Sequence, residues 1–325
     1  RKAGNAPCAA PKPFKGGKPM HYELKAIEVP STDNIHTLKG RIYIPEGDIK
    51  GIFHIVHGMC EYIARYDHIF AFLAEKGYVC CGYDNLGHGE TAKSKDELGF
   101  IAHRNGWKYL VNDVKAFEDA VKKMFPDKPL YLMGHSMGSF ISRIAAENYG
   151  DEIEKFIICG TGGPNAAAPF GLLLTDIMQL FFGEKHRSRL INNIAFGAYN
   201  KRFEGESEYD WVTSDREVTA KYAADEYCTF KFTVSAMHDL VKLNMLSNRG
   251  AWFKNMRKTL PVLLISGTHD PVGNYGKGVK TVYKRLKAAG MEDVTIKLYE
   301  NCRHEIHNDI CRQDVMNDIL EFIEK

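Results

Sequence analysis

Ser136 stands between two glycines in Gly134-His135-Ser136-Met137-Gly138. A serine hydroxyl attacks a carbonyl carbon only when a base takes its proton and a third group orients that base. Two residues farther along can supply those parts. Asp270 lies in Gly267-Thr268-His269-Asp270-Pro271, and His304 lies in Asn301-Cys302-Arg303-His304-Glu305. Nucleophile, then acid, then histidine is a chain order in which this chemistry occurs. The tetrahedral intermediate also needs N–H donors for its oxyanion. The backbone N–H of Met137, directly after the serine, is one candidate. The other is the N–H of Met59, in His57-Gly58-Met59-Cys60-Glu61. Backbone donors leave the Met59 and Met137 side chains free to line an acyl pocket or fill the core. The pentapeptide alone is weak, since chance supplies about a tenth of such a match in a chain with 29 glycines. Order and strand context turn it into a site.

The other histidines fit the base role less well. His307 already heads into a closing helix, and His269 is adjacent to the acid it would have to share. His54 lies mid-strand and reads as a satisfied core residue. The side chain of His135, beside the nucleophile on a sharp turn, points elsewhere.

The elements that must position these residues alternate. Tyr22–Val29 and His36–Ile44 alternate polar and apolar about the turn Pro30–Asn34, an antiparallel hairpin. Gly51–Val56, Tyr78–Tyr83, Leu130–Met133, Phe156–Cys159, Val262–Ile265 and Val294–Tyr299 are short apolar runs suited to buried strands. Helical spacing is expected over Arg65–Lys76, Trp107–Phe125, Met137–Tyr149, Gly276–Ala289 and Asp309–Glu324. Strand–helix alternation predicts parallel βαβ units in a doubly wound sheet. Ser136, Asp270 and His304 then all fall at carboxyl ends of strands and can converge on one rim.

Composition bounds the rest. The chain has 325 residues, a net charge of +2, 44% hydrophobic and 26% charged residues, which is ordinary for a soluble globular protein. No strong pull towards nucleic acid follows from that charge, and no apolar stretch is long enough to span a bilayer. The eight cysteines include no CxxC or zinc-like spacing. They read as reduced thiols in a cytoplasmic setting, with the pairing of Cys302 and Cys311 left open. Residues 1–20 form a basic lead-in rich in Pro, Gly, Ala and Lys, expected to be flexible.

The motifs carry a resemblance. His57-Gly58-Met59-Cys60-Glu61 with Arg65-Tyr66, Asp84-Asn85-Leu86-Gly87-His88-Gly89, the Ser136 pentapeptide, Asp270-Pro271-Val272-Gly273 and Arg303-His304-Glu305 occur in that order. Together they resemble the monoacylglycerol lipase and lysophospholipase group of α/β-hydrolases, classed with the serine aminopeptidase type. The resemblance runs from Tyr22 to the C-terminus and is weakest in the middle. It implies an α/β-hydrolase fold, with a mostly parallel eight-stranded sheet flanked by helices and an inserted helical cap. It also implies a Ser136, Asp270, His304 triad with oxyanion donors at Met59 and Met137. Two positions depart from the family pattern. Asn85-Leu86 replaces a basic pair, and Ser139 replaces a second glycine after the nucleophile.

The alternation stops between Gly163 and Thr259. We therefore expect a core of residues 21–163 and 260–325 and a cap of residues 164–259. The cap decides the substrate. Phe170–Leu174 and Met178–Phe182 are apolar nearly all round. They suit either a helix packed over the sheet or the lipid-facing wall of an acyl tunnel that can rest on a membrane or micelle. The expected activity is hydrolysis of acyl esters of the monoacylglycerol or lysophospholipid type, with no metal or organic cofactor. A proline-type aminopeptidase is the alternative. It would need carboxylates for a substrate ammonium, and Glu204, Glu206, Glu208, Asp210, Asp225 and Glu226 are available. A ligand-binding receptor on the same fold is a third reading, disfavoured by the intact triad.

Overall fold

A computed structural model describes residues 22–203, 205 and 207–325. The expected lead-in therefore lies outside the described residues.

Eight strands form one sheet: β1 (Tyr22–Pro30), β2 (Thr37–Pro45), β3 (Gly51–Val56), β4 (Tyr78–Tyr83), β5 (Leu130–His135), β6 (Lys155–Cys159), β7 (Val262–Gly267) and β8 (Val294–Tyr299). Their order across the sheet is β1-β2-β4-β3-β5-β6-β7-β8. β2 pairs antiparallel with β1 and with β4, and every other pairing is parallel. Every residue of β3, β4, β5 and β7 is buried, as continuous apolar runs covered on both faces require. β1 and β8 are the edges; β1 is largely exposed, while β8 alternates inward with outward residues. This is the α/β-hydrolase architecture expected from the sequence.

The helices are α1 (Asp67–Ala74), α2 (Gly106–Met124), α3 (Met137–Tyr149), α4 (Ala168–Phe182), α5 (Arg189–Phe196), α6 (Arg216–Ala224), α7 (Val234–Asn248), α8 (Gly250–Asn255), α9 (Lys277–Ala288) and α10 (Arg312–Glu324). Two buried clusters separate the layers. Ile69, Phe70 and Leu73 of α1 join Ile319 and Ile323 of α10 on one face. Leu110 and Val114 of α2, Ile141 of α3 and Val279 and Leu286 of α9 share the other.

The closing helix begins at Arg312 and not at Asp309. The Asp309 carboxylate accepts backbone N–H groups from Arg303, Ser214 and Ile310, so it ties loops together and cannot enter a helix. Similarly, the stretch from Arg65 starts as a 3-10 turn over Ile63–Tyr66, and α1 follows it.

The chain runs outward from β3 to β4, then returns to β5 on the opposite side of β3. A crevice opens at such a reversal, at the carboxyl ends of the strands. The loop after β3 and the turn after β5 both flank it. Ala168 of α4, Phe196 of α5 and Tyr222 of α6 border the cavity that opens there. Farther along, α7 and α8 are fastened to α3 by Arg143. This guanidinium is fully buried with no carboxylate partner among the described residues, 4.2 Å from the Trp252 ring, and it bonds the Ser247 carbonyl and Asn248 Oδ1 (3.1 Å). Burial and the nearby Arg285 lower its pKa to about 9. No helix is long and apolar enough to cross a membrane among the described residues.

Candidate active site

Ser136 occupies the one-residue turn between β5 and α3, with φ +53° and ψ −120°. A non-glycine residue held there stores strain, which the surrounding packing must enforce. A Cβ at Gly134 would strike Ser142 Oγ and the Gly138 carbonyl, and one at Gly138 would strike the carbonyls of Val56 and His57. Those contacts explain why both flanking positions are glycine. Ser139, one of the two family departures, has its hydroxyl 2.6 Å from the Ser136 carbonyl and 2.8 Å from Thr161 Oγ1. It ties the turn to the end of β6.

The sequence-predicted partners converge. His304 Nδ1 lies 3.0 Å from Asp270 Oδ1, and both residues are buried. Asp270 Oδ1 also accepts the Val272 N–H at 2.8 Å, and Oδ2 accepts the Ser266 hydroxyl at 3.1 Å. Those donors fix the carboxylate as the acceptor facing His304 Nδ1, which places the ring proton on Nδ1. Nε2 is then the lone-pair nitrogen, free to act as a base. Ser136 and His304 line the same cavity.

The loop after β3 is pinned on both sides of one peptide. His57 Nε2 accepts the Asn85 backbone N–H at 2.8 Å, so its proton resides on Nδ1. That Nδ1–H donates to the Gly58 carbonyl at 2.8 Å. In a trans peptide the N–H points opposite to the C=O, so the Met59 N–H faces away from His57. Met59 and Met137 line the cavity beside Ser136. Asn85, the other family departure, also donates through Nδ2 to the His57 carbonyl at 3.1 Å. It replaces a basic side chain with one that fixes the loop after β3.

The cavity above these groups measures about 950 Å³. Its apolar wall includes Phe196, Phe230, Met237, Leu240 and Val241. Neither apolar run singled out in the sequence, Phe170–Leu174 or Met178–Phe182, contributes to that lining. Leu174 and Met178 pack inward, while Phe170, Leu173, Leu180, Phe181 and Phe182 face solvent.

Three carboxylates line the cavity among the described residues: Glu61, Glu208 and Glu305. Glu305 is paired with Arg65, and Glu61 lies 2.9 Å from His135 Nδ1. Of the other acids considered for an ammonium, Asp225 accepts the Tyr62 hydroxyl and Glu226 pairs with Lys95. Glu204 and Glu206 lie outside the described residues.

With this geometry in view, the family model described as serine aminopeptidase, S33 matches residues 47–310. The chain belongs to the serine aminopeptidase S33 family. Monoglyceride lipase of Mus musculus is 24% identical over 283 residues, covering 86% of this chain and 83% of that protein. A thermostable carboxyl esterase from Bacillus coagulans, solved in complex with glycerol, matches with a TM-score of 0.87 at 29% identity. That match covers 93% of this chain and 98% of the esterase. A structure described as a lipase in its open form matches with a TM-score of 0.84 at 26% identity, covering 93% of this chain and 98% of that one.

In this S33 chain Ser136, His304, Met59 and Met137 line one cavity, and Asp270 is buried behind His304, hydrogen-bonded to its Nδ1. Two contributions were not legible. Trp211, far from every motif, sets its ring 5.3 Å from that of His304. Glu61 and His135 were visible in motifs but without roles, because their partners come from separate strands. Cys302 and Cys311, left open as a pair, are joined by a disulfide that brackets His304. The five other described cysteines are free and buried.

Proposed function

We propose that the protein is a carboxylic ester hydrolase with Ser136 as nucleophile, His304 as general base and acid, and Asp270 as its orienting carboxylate. Ser136 Oγ attacks the acyl carbonyl and its proton passes to His304 Nε2. The N–H groups of Met59 and Met137 hold the oxyanion. His304 then protonates the departing alcohol, leaving an acyl-serine. Water attacks that ester, gives a proton to His304, and the collapse releases the fatty acid and returns the proton to Ser136. The side chains present suffice for each proton transfer.

The observation that carries the substrate class is the lining of the cavity. It is long-chain sized and apolar on one wall, and two of its three carboxylates are already paired. That supports an acyl ester of the monoacylglycerol or lysophospholipid type over an aminoacyl substrate, whose ammonium would be left with the solvent-exposed Glu208. The exposed Leu180, Phe181 and Phe182 of α4 with Leu190 and Ile194 of α5 support transient seating of the cap on a membrane or micelle. The five free buried thiols favour a cytoplasmic setting, and the Cys302–Cys311 disulfide opposes it. The discontinuous division into a core (21–163 and 260–325) and a cap (164–259) remains our reading of the chain.

The test is a panel of acyl esters of graded chain length on glycerol and lysophospholipid head groups, run beside aminoacyl anilides. Faster cleavage of long-chain glycerol or lysophospholipid esters is expected. Faster cleavage of the anilides overturns the reading in favour of a peptidase.

A further inference from the structure

Beneath Ser136 lies a set of buried titratable groups that the reaction leaves unused: Glu61, His135, Tyr66 and His307. Glu61 Oε1 accepts the Gly58 backbone N–H, the Tyr66 hydroxyl at 3.1 Å and His135 Nδ1 at 2.9 Å. The other ring nitrogen, His135 Nε2, faces the carbonyl oxygen of His304 at 3.3 Å. A carbonyl oxygen can only accept, and a carboxylate oxygen already taking two other donors acts as an acceptor too. Both nitrogens of His135 therefore carry protons, and the ring is an imidazolium. The ionisation tendencies agree with this geometry. Burial pushes Glu61 up, but the charge and hydrogen bond of His135 outweigh it and hold the carboxyl well below its usual range. Burial pushes His135 down, and Glu61 outweighs it in turn.

The pair's contacts are distributed in a telling way. Gly58 follows β3, His135 ends β5 and His304 follows β8, so one buried ion pair touches three of the four loops that carry the proposed reaction, all but that of Asp270. A Cβ at Gly58 would meet both Glu61 Oε1 and, at 2.9 Å, the Cβ of Ser136, so nothing intervenes between the oxyanion loop and the nucleophile. His135, Cys159 and His307 also lie near enough for a shared ligand atom set. His135 spends both nitrogens on Glu61 and His304, however, so that trio belongs to the surroundings of the pair.

We propose that the Glu61–His135 ion pair is a positioning device that holds the Met59 N–H, Ser136 and His304 in mutual register. The proposal rests on the catalytic roles assigned above. His57 holds the carbonyl of the Gly58–Met59 peptide and Glu61 holds the N–H of the peptide before it, so the unit that presents the Met59 donor is restrained at its own carbonyl and from the preceding peptide. Loss of the carboxylate frees one end and leaves a buried cation without its partner.

The test is Glu61→Gln, with kcat expressed per active site titrated to completion by a fluorophosphonate on a soluble acyl ester. The expected result is a fall in kcat of about 10²-fold, comparable to loss of one oxyanion donor, with KM changed by less than about threefold. Glu61→Asp, which keeps the charge at shorter reach, should recover part of the loss. If Glu61→Gln does not fold, His135→Gln carries the same measurement with the same expectation. A drop in titratable sites with wild-type kcat per site means a merely structural pair and overturns the proposal. Ser136→Ala in the same assay separates the two readings. If it is inactive while Glu61→Gln is wild type, only the positioning role fails. If it is active, the nucleophile assignment fails.

Discussion

The indole of Trp211 lies with its centroid 5.3 Å from the imidazole of His304, and its carbonyl oxygen accepts the His304 backbone N–H at 3.4 Å. The contact continues on either side. The Glu305 N–H donates to the Val212 carbonyl at 2.7 Å, and the Arg303 guanidinium donates to the carbonyls of Asp210 and Thr213. A segment between β6 and β7 therefore grips the loop that carries His304, the proposed base. Trp211→Ala should leave the fold intact but loosen the ring's position. We expect kcat to fall by roughly ten- to a hundredfold, as for small misplacements of a reacting group. Steady-state kinetics beside thermal unfolding checks this, and unchanged kcat removes the indole from positioning the base.

Asp270→Asn places an amide where His304 Nδ1–H now finds a carboxylate. The favoured tautomer then inverts and Nε2 carries the proton. By analogy with other serine triads, kcat should fall by about 10⁴-fold while the protein remains folded. Ser136→Ala should abolish both turnover and fluorophosphonate labelling. A labelled Ser136→Ala protein would show that another residue is the nucleophile.

Gly138→Ala tests how tightly α3 is seated. The added Cβ would meet the carbonyls of Val56 and His57, which are backbone atoms with no rotamer to yield. The helix start must retreat from β3, so unfolding free energy should drop by about 1–3 kcal/mol. Activity should fall further than stability predicts, since the Met137 N–H moves with the helix. A denaturant melt and a rate measurement on the same sample decide it.

Asp239 gives a pH dependence of stability. Burial pushes its carboxyl up to about 7, against the backbone N–H groups of Trp107 and Gly106, which pull it down. Its folded pKa thus exceeds the unfolded value, so the native state binds more protons between about pH 4 and pH 7. Stability from this group is present at acid pH and is lost as pH rises through that window. Asp239→Asn mimics the protonated form and should flatten the decline, raising stability at pH 8 by ~1–3 kcal/mol. Denaturant midpoints at pH 5 and pH 8 measure it, and an unchanged slope contradicts the expectation.

Leu180→Glu with Phe181→Glu places charge on the outward face of α4 without touching the cavity. Hydrolysis of a short soluble ester should stay at wild type. Turnover of long-chain ester presented in vesicles should fall severalfold as surface binding weakens. Equal loss on both substrates would place the effect inside the fold and not at a lipid surface.

The chain alone determined the parts of this protein that depend on local pattern. Buried strands such as Gly51–Val56 and Leu130–Met133 announce themselves by continuous apolar residues. The tight turn at Ser136 announces itself by glycines that no larger residue can replace. Asp270 and His304 were legible because a parallel sheet sends every strand's carboxyl end to one rim, so chain order suffices to bring them together. The tertiary structure decided what depends on partners distant in sequence. Nothing in His57-Gly58-Met59-Cys60-Glu61 says that Glu61 accepts from Gly58 and His135 together, because that requires β3 and β5 to be neighbours. Nothing in the sequence between β6 and β7 places Trp211 on His304, or turns Leu180 and Phe181 outward while Leu240 and Val241 line the cavity. An apolar helix has no preferred face until other helices bury one side of it, so its composition cannot say which residues meet the substrate.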